Sequence, residues 1–463
     1  MSTFLQSPQW LSVHGLVVLI GLLTYVLTSH SLHQRRSPTA AVSWVLAISL
    51  VPYVGLPLYL MFGTRKLAHS GRRVAGDLPV RAAQGDADSL WPLQLAAALG
   101  QPPEAHYRDL RLHEDGTQAR EALWDLVDAA RRDLVLCTFL LGRDAFGREL
   151  IARLVAKARS GVRVRLLLDA AGRVMGGGVS LKPLRAAGIE VALFGPILHI
   201  PFTSRTNLRN HRKFAVADAD RLWCGGRNLS GEYFGPKGPL PQWDDLTFDL
   251  RGPLAARARD LFERDWSFAA RCPLPSAAIG HEAARPPYAQ LIASGPDEAD
   301  DTVHDLLVTA CFKARRRIAV VTPYFVPGEV LLLALSLAAR RGVTVDLVLP
   351  RHSNHRLADF VRHRALRELS RAGGRIWQVP YMLHAKAVVV DEDLALAGSA
   401  NLDSRSLFLN FELMVAFYER ADIGRFAEFI ERRVRGAERY ARGKPGLLRD
   451  LAEGLALWIA FQL

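Results

Sequence analysis

The sequence predicts an α/β fold of two tandem halves related by a pseudo-twofold axis, preceded by an N-terminal transmembrane helical hairpin. Three observations predict it. Residues 10–27 and 40–62 carry no formal charge, and each approaches or exceeds the ~20 residues a helix needs to cross a bilayer core. Beyond a polar linker at 71–88, one order of amphipathic helices and short apolar strands runs twice, the mark of an internal repeat. Each run closes on the same six-position pattern of His, Lys, Asp, Gly and Asn.

The hairpin comes first. No Lys or Arg precedes the first apolar segment and a second follows at once, which favours a spanning helix over a cleaved signal peptide. Pro52 and Pro57 interrupt the second segment, as a kink or a re-entrant turn would. Arg35 and Arg36 lie between the segments, whereas Arg65, Lys66, Arg72 and Arg73 follow them. That excess of positive charge places the large C-terminal part in the cytoplasm. The expected divisions are an anchor at 1–66, a linker at 67–105, halves at 106–275 and 276–440, and a C-terminal amphipathic helix at 441–463. A net charge of +13 suits anionic partners such as phospholipid headgroups or nucleic acid. Cys137, Cys224, Cys272 and Cys311 lie far apart with no C-x-x-C pair, so neither a disulfide framework nor a zinc site is expected.

In the first half, a helical pattern at 120–131 leads into the β-rich run DLVLCTFLL from Asp133. A second helix at 149–159 feeds VRVRLLLD after Gly161, and IEVALF follows Gly188. The second half repeats the series with a helix at 302–315, IAVVTPYFV after Arg317, a helix at 329–340, VTVDLVLP after Gly342, and RIWQV after Gly374. Helices alternating with near-continuous apolar strands predict sheets covered on both faces.

Each half then presents H-x-K-x4-D-x6-G-[GS]-x-N. The first copy is His211, Lys213, Asp218, Gly225, Gly226 and Asn228; the second is His384, Lys386, Asp391, Gly398, Ser399 and Asn401. On a strand, residues two apart share a face, so each His and Lys share one pocket wall. The glycines permit close backbone approach, and the Asn amides and the Ser399 hydroxyl are donors for phosphate oxygens. Bringing the halves together assembles a nucleophile, an acid/base and a charge clamp, which suffice for phosphoryl transfer without a metal or other cofactor. Insensitivity to chelators is the corresponding expectation. Asp218 and Asp391 sit an odd number of residues from their histidines, so alternation turns them off the pocket face and makes them structural members of the signature.

The doubled signature resembles that of the phospholipase D superfamily. The stretches NLRNHRK, TPYFVP, HAKAVVVD and GSANLDSRSLFLNFEL, with RRSPTAAVSWVLAISLVPYVGLPLYLMFG in the second span, are similar to bacterial cardiolipin synthases over nearly the whole chain. VADADRLWCGG in the first motif and PLPQWDDLTFDL after it depart from the usual pattern, which predicts an acceptor pocket different from the usual one.

The resemblance implies two phospholipase D-like α/β/α sandwich halves in a multi-pass protein of the bacterial inner membrane. It implies that His211 attacks phosphorus and that His384 serves as acid and then base. The reverse order stays open, because nothing in the sequence breaks the symmetry. Lys213, Lys386, Asn228 and Asn401 would stabilise the transition state. Glu412 resembles the family's orienting acid and Asp245 its first-half counterpart, with Asp244 and Glu232 as rivals. The leading reaction is transfer of a phosphatidyl group between two phosphatidylglycerols, giving cardiolipin and glycerol. Hydrolysis to phosphatidic acid is the alternative; a nuclease is disfavoured by the membrane anchor, so no nucleic acid partner is expected. At the C-terminus, Leu447, Leu451, Leu455 and Ile459 recur every four residues, which fits a helix in the membrane interface or one packed on its own domain.

Overall fold

The computed structural model describes residues 8–31, 38–63, 65–67, 91–195, 207–235, 242–274, 286–441, 443 and 445–460. The expected linker at 71–88 and the orientation-setting Arg35, Arg36, Arg72 and Arg73 lie outside these.

The first apolar segment is one helix of 24 residues, Pro8–Ser31. The second is two helices, Pro38–Leu50 and Pro52–Phe62. The break falls where Pro52, lacking an amide proton, starts a new helix; Pro57 sits inside that helix without ending it. Among the described residues no helix is long and apolar enough to cross a membrane. The three helices pack around Tyr59, whose hydroxyl lies 2.5 Å from Thr28 Oγ1 and whose ring meets Tyr25 and Trp44. Gly55 permits this approach, since a Cβ there would lie 2.4 Å from the Ala47 carbonyl oxygen. On the outside, Leu16, Leu19, Leu23, Leu27, Val42, Leu46 and Leu50 are exposed. The hairpin is tied down by Lys66, whose ammonium donates to the carbonyls of Gly295, Glu298 and Asp300.

Beyond it, β1 (Ala105–His106) precedes a sheet built from β2 (Arg108–His113), β3 (Asp133–Thr138), β4 (Arg163–Asp169), β5 (Glu190–Phe194), β6 (Phe214–Ala217), β7 (Arg221–Gly225) and β8 (Thr247–Arg251). The second half supplies β9 (Tyr288–Ser294), β10 (Arg317–Val321), β11 (Phe325–Val326), β12 (Thr344–Pro350), β13 (Arg375–Val379), β14 (Ala387–Val390), β15 (Leu394–Gly398), β16 (Leu402–Asp403), β17 (Glu412–Phe417) and β18 (Glu438–Arg439). The first sheet runs β2-β8-β7-β6-β3-β4-β5; the second runs β9-β17-β15-β14-β10-β12-β13 with β1 and β18 added at its edges. The two orders are the same. In each, three neighbouring strands, β3-β4-β5 or β10-β12-β13, are parallel and joined through helices, and the other pairings are antiparallel. One buried cluster joins Val216 and Phe248 of the first sheet to Leu291, Val389 and Val415 of the second, so the halves share a core.

One expected boundary differs. Residues 91–105, read as linker, belong to the second half: Trp91 and Ala96 of helix Trp91–Ala98 are buried in its core, β1 pairs with β9, and the Gln101 side chain accepts from the Ala293 amide at 2.8 Å. The apolar face of that helix is too short to read as an element by periodicity, and its partner lies far away in sequence.

Candidate active site

Both H-x-K pairs lie just before strands β6 and β14 rather than within them. Their extended shape comes from the opposite half. The His211 amide donates to the Phe411 carbonyl and the Phe411 amide to the Arg209 carbonyl, both at 2.9 Å. The His384 amide donates to the Asp244 carbonyl and the Asp244 amide to the Met382 carbonyl, at 2.6 and 2.9 Å. Each histidine segment thus runs parallel to a segment whose next residue is an acid, Glu412 or Asp245.

That register pairs the groups across the halves. His211 Nδ1 is 2.9 Å from Glu412 Oε1 and 3.1 Å from Oε2; His384 Nδ1 is 2.7 Å from Asp245 Oδ2. Both acids are fully buried. A carboxylate on Nδ1 fixes the tautomer and leaves Nε2 for chemistry. The rivals are engaged elsewhere: Asp244 pairs with Arg433 at 2.8 Å, and Glu232 accepts from Ser230 at 2.5 Å.

Lys213 Nζ donates to the His211 carbonyl at 2.6 Å; Lys386 Nζ likewise donates to the His384 carbonyl and lies 2.7 Å from His384 Nδ1 and 3.1 Å from Nε2. Burial, with Lys213 and Lys386 adding to it, pushes the His211 imidazole down to about 4. Burial and the neighbouring Lys386 push His384 down to about 3. Burial also lowers Lys213 to about 8 and Lys386 to about 7. For Asp245, burial raises the pKa, but Lys386 and His384 outweigh it and hold the carboxyl below its usual range. His211, Lys213 and Ser399 do the same for Glu412. Each lysine also acts on the histidine of the other half, so the six groups form one electrostatic unit.

The glycines permit close approach of backbone. A Cβ on Gly398 would lie 2.1 Å from the Leu413 carbonyl oxygen, and one on Gly225 2.4 Å from that of Leu246; both permit the acid-bearing segment to lie close. Ser399, expected to face phosphate, instead donates to Glu412 Oε2 at 2.5 Å. At the matching position Gly226, a Cβ would strike Asp245 Oδ1 at 2.2 Å. Asn228 Nδ2 donates to the Tyr233 hydroxyl at 3.0 Å. Among the described residues the buried Oδ1 atoms of Asn228 and Asn401 lack a hydrogen-bond partner.

Sequence reading missed the aromatic walls and one basic support. Tyr233 and Trp243 flank the His384 ring at 5.2 and 5.5 Å, and Phe139 meets His211 at 5.2 Å. Arg212, the middle residue of the first H-x-K, is fully buried, pairs with Asp265 and donates to the Glu412 carbonyl at 3.0 Å. A charged residue at a position whose second-half match is Ala385 was the available signal.

Asp218 and Asp391 stand away from this cluster, each at a left-handed turn. Asp218 accepts from the amides of Arg131, Arg132 and Asp133; Asp391 accepts from those of Arg315, Arg316 and Arg317. Each carboxylate therefore fastens the start of the first parallel strand of its half, β3 or β10. Asp218→Ala or Asp391→Ala is expected to cost about 1–2 kcal/mol of stability, read by denaturant unfolding, with turnover per folded molecule unchanged.

A twofold-repeated sheet bearing two acid-oriented histidines and two lysines in one buried cluster has the make-up of a phospholipase D-type phosphatidyltransferase. The description "Cardiolipin synthase, PLD-like domain" matches residues 123–266 and 307–434, and "Phospholipase_D-nuclease N-terminal" matches 16–63. Cardiolipin synthase A of Pseudomonas entomophila is 31% identical over 433 residues, covering 90% of each chain. That of Pseudomonas syringae pv. syringae is 32% identical over 404 residues, covering 83% of this chain and 84% of the relative. In fold, the chain is similar to the phosphatidylserine synthase of Haemophilus influenzae, with a TM-score of 0.63 at 12% identity, covering 81% of this chain and 100% of that one. The chain belongs to the cardiolipin synthase family, enzymes that make cardiolipin by phospholipase D-type chemistry.

Proposed function

We propose that the enzyme transfers a phosphatidyl group from one phosphatidylglycerol to another through a covalent phosphohistidine on His211. The observation that carries this reading is the crossed pairing of each histidine with an acid from the other half. His211 Nε2 attacks phosphorus, the bond to the glycerol oxygen breaks, and His384 gives that oxygen a proton. The terminal hydroxyl of a second phosphatidylglycerol then returns a proton to His384 and attacks phosphorus. The N–P bond breaks and cardiolipin leaves. His211 is assigned as nucleophile because its side chain is the more open, 14% exposed against 5% for His384. Lys213, Lys386, Asn228 and Asn401 stabilise the charge on the phosphoryl oxygens. No metal is required by these steps.

The depressed histidines leave both rings neutral near pH 7, whereas an acid is needed for the leaving oxygen. A phosphodiester anion between them favours the imidazolium, so binding should take up a proton. Calorimetry with a dialkyl phosphate monoanion in buffers of different ionisation heat is expected to read an uptake of about one proton near neutral pH; proton release contradicts the assignment.

The anchoring hairpin is proposed to hold this site at the inner face of a bacterial membrane, a reading supported by the outward leucines and valines of its three helices. Purified protein with labelled phosphatidylglycerol in mixed micelles tests the reaction. Cardiolipin and glycerol in equal amounts, unaffected by EDTA, are expected. Phosphatidic acid as the main product favours hydrolysis, and loss of turnover on chelation, restored by added metal, overturns the clamp described above.

A further inference from the structure

Helix Leu447–Ala460 is seated the reverse of an ordinary surface helix. One acid of the helix faces the protein: Glu453 is fully buried and pairs with Arg367 at 2.5 Å, while the half-exposed Asp450 reaches the same arginine at 3.3 Å. Leu447, Leu448, Leu451 and Leu455 fall on one arc of about 100°, and they are 78%, 83%, 58% and 67% exposed. A folded chain in water gains nothing by turning four leucines outward while burying an ion pair.

We infer that this leucine face docks on the bilayer surface and sets the active-site mouth against the lipid. The bilayer is favoured by charge and by position. Arg364 and Arg371 are exposed and border the cleft between this helix and helix Arg356–Arg371, with Leu447 and Asp450 on its other side; cations beside an apolar stripe suit an anionic leaflet. Inward, Ala456 packs in one cluster with Tyr324, Val326, Ala358 and Val361. Val326 lies on β11, whose Phe325 pairs with Leu402, the residue after Asn401 of the second signature. The apolar hairpin leaves from the same end. Arg65, just past its last helix, lies over the Phe408 ring at 4.1 Å, and Phe408 borders Gly328, next to the short β11–β16 pair against which helix Arg356–Arg371 packs. The helix that carries the leucine face and the hairpin thus both rest near β11, the helix by its opposite side, and one leaflet can receive both.

The choice of bilayer rests on the lipid-substrate reading, but the test is read without turnover, so the two can fail separately. In the full chain carrying Cys272→Ser, the remaining cysteines are buried, and a polarity-sensitive dye is placed on Leu451→Cys or, independently, on Leu455→Cys. The control is Arg420→Cys, a position 82% exposed on another helix. In phosphatidylglycerol/phosphatidylcholine vesicles with brominated acyl chains, dyes at 451 and 455 are expected to be quenched about twofold or more relative to unbrominated vesicles, and the control dye is not. Equal emission in both vesicle types at both positions overturns the inference. So does a blue shift that appears in detergent, grows with protein concentration and ignores bromine, since the face then covers a second copy.

Discussion

Replacing either His211 or His384 with alanine is expected to lower cardiolipin formation by about 10⁴-fold or more. The two losses have different origins. Without the His211 imidazole there is no atom to carry the phosphatidyl group, whereas without His384 the leaving oxygen departs as a bare alkoxide. Because the two residues act as a unit, His211→Ala with His384→Ala should be scarcely slower than either alone. The folded state should survive. Glu412 keeps hydrogen bonds from Ser399 and Asn410, and Asp245 keeps the Leu246 amide, so neither buried acid is left bare. Unfolding curves run beside turnover check this point, and a variant with substantial activity contradicts the two-histidine site.

Glu412→Gln and Asp245→Asn carry the second largest expected effect, about 10²–10⁴-fold in kcat. Each substitution preserves size but removes the charge that holds an Nδ1 proton and favours the imidazolium. The loss should follow the crossed pairing. Glu412→Gln added to His211→Ala should cost little more, and Asp245→Asn added to His384→Ala likewise, since each acid works through the ring of the other half. Full additivity within either cycle contradicts that wiring. The direction is also fixed for titration, because the Glu412 carboxylate raises the His211 pKa against burial. Its amide replacement should push the His211 imidazole further down, as read from its ring resonances by NMR.

Much of this architecture was legible in the sequence because its signals are local or repeated. The apolar runs that became β3, β4, β10 and β12 are almost wholly buried, and a strand covered on both faces must be apolar throughout. The signature residues were legible because two copies at one spacing exclude coincidence. The crossed pairing was not. Glu412 and Asp245 reach their histidines only because Phe411 and Asp244 form backbone bridges to the opposite half, and nothing within either segment encodes its partner. The same holds for residues 91–105, whose partners begin at β9. Ser399 misled for another reason: a hydroxyl beside a catalytic motif reads as a phosphate donor, yet the closest strong acceptor is Glu412. Alternation correctly turned Asp218 and Asp391 away from the histidines, although the cause is a tight turn rather than continued strand.

On the proposed route one phosphorus atom becomes bonded to His211 during turnover. The most direct measurement is rapid alkaline quenching of the enzyme turning over phosphorus-labelled phosphatidylglycerol, followed by peptide mapping of the acid-labile adduct. Label on the peptide containing His211, absent from His211→Ala, is the predicted result. Steady turnover with no label on either histidine would contradict the covalent route, and label confined to His384 would contradict the assignment of nucleophile and acid.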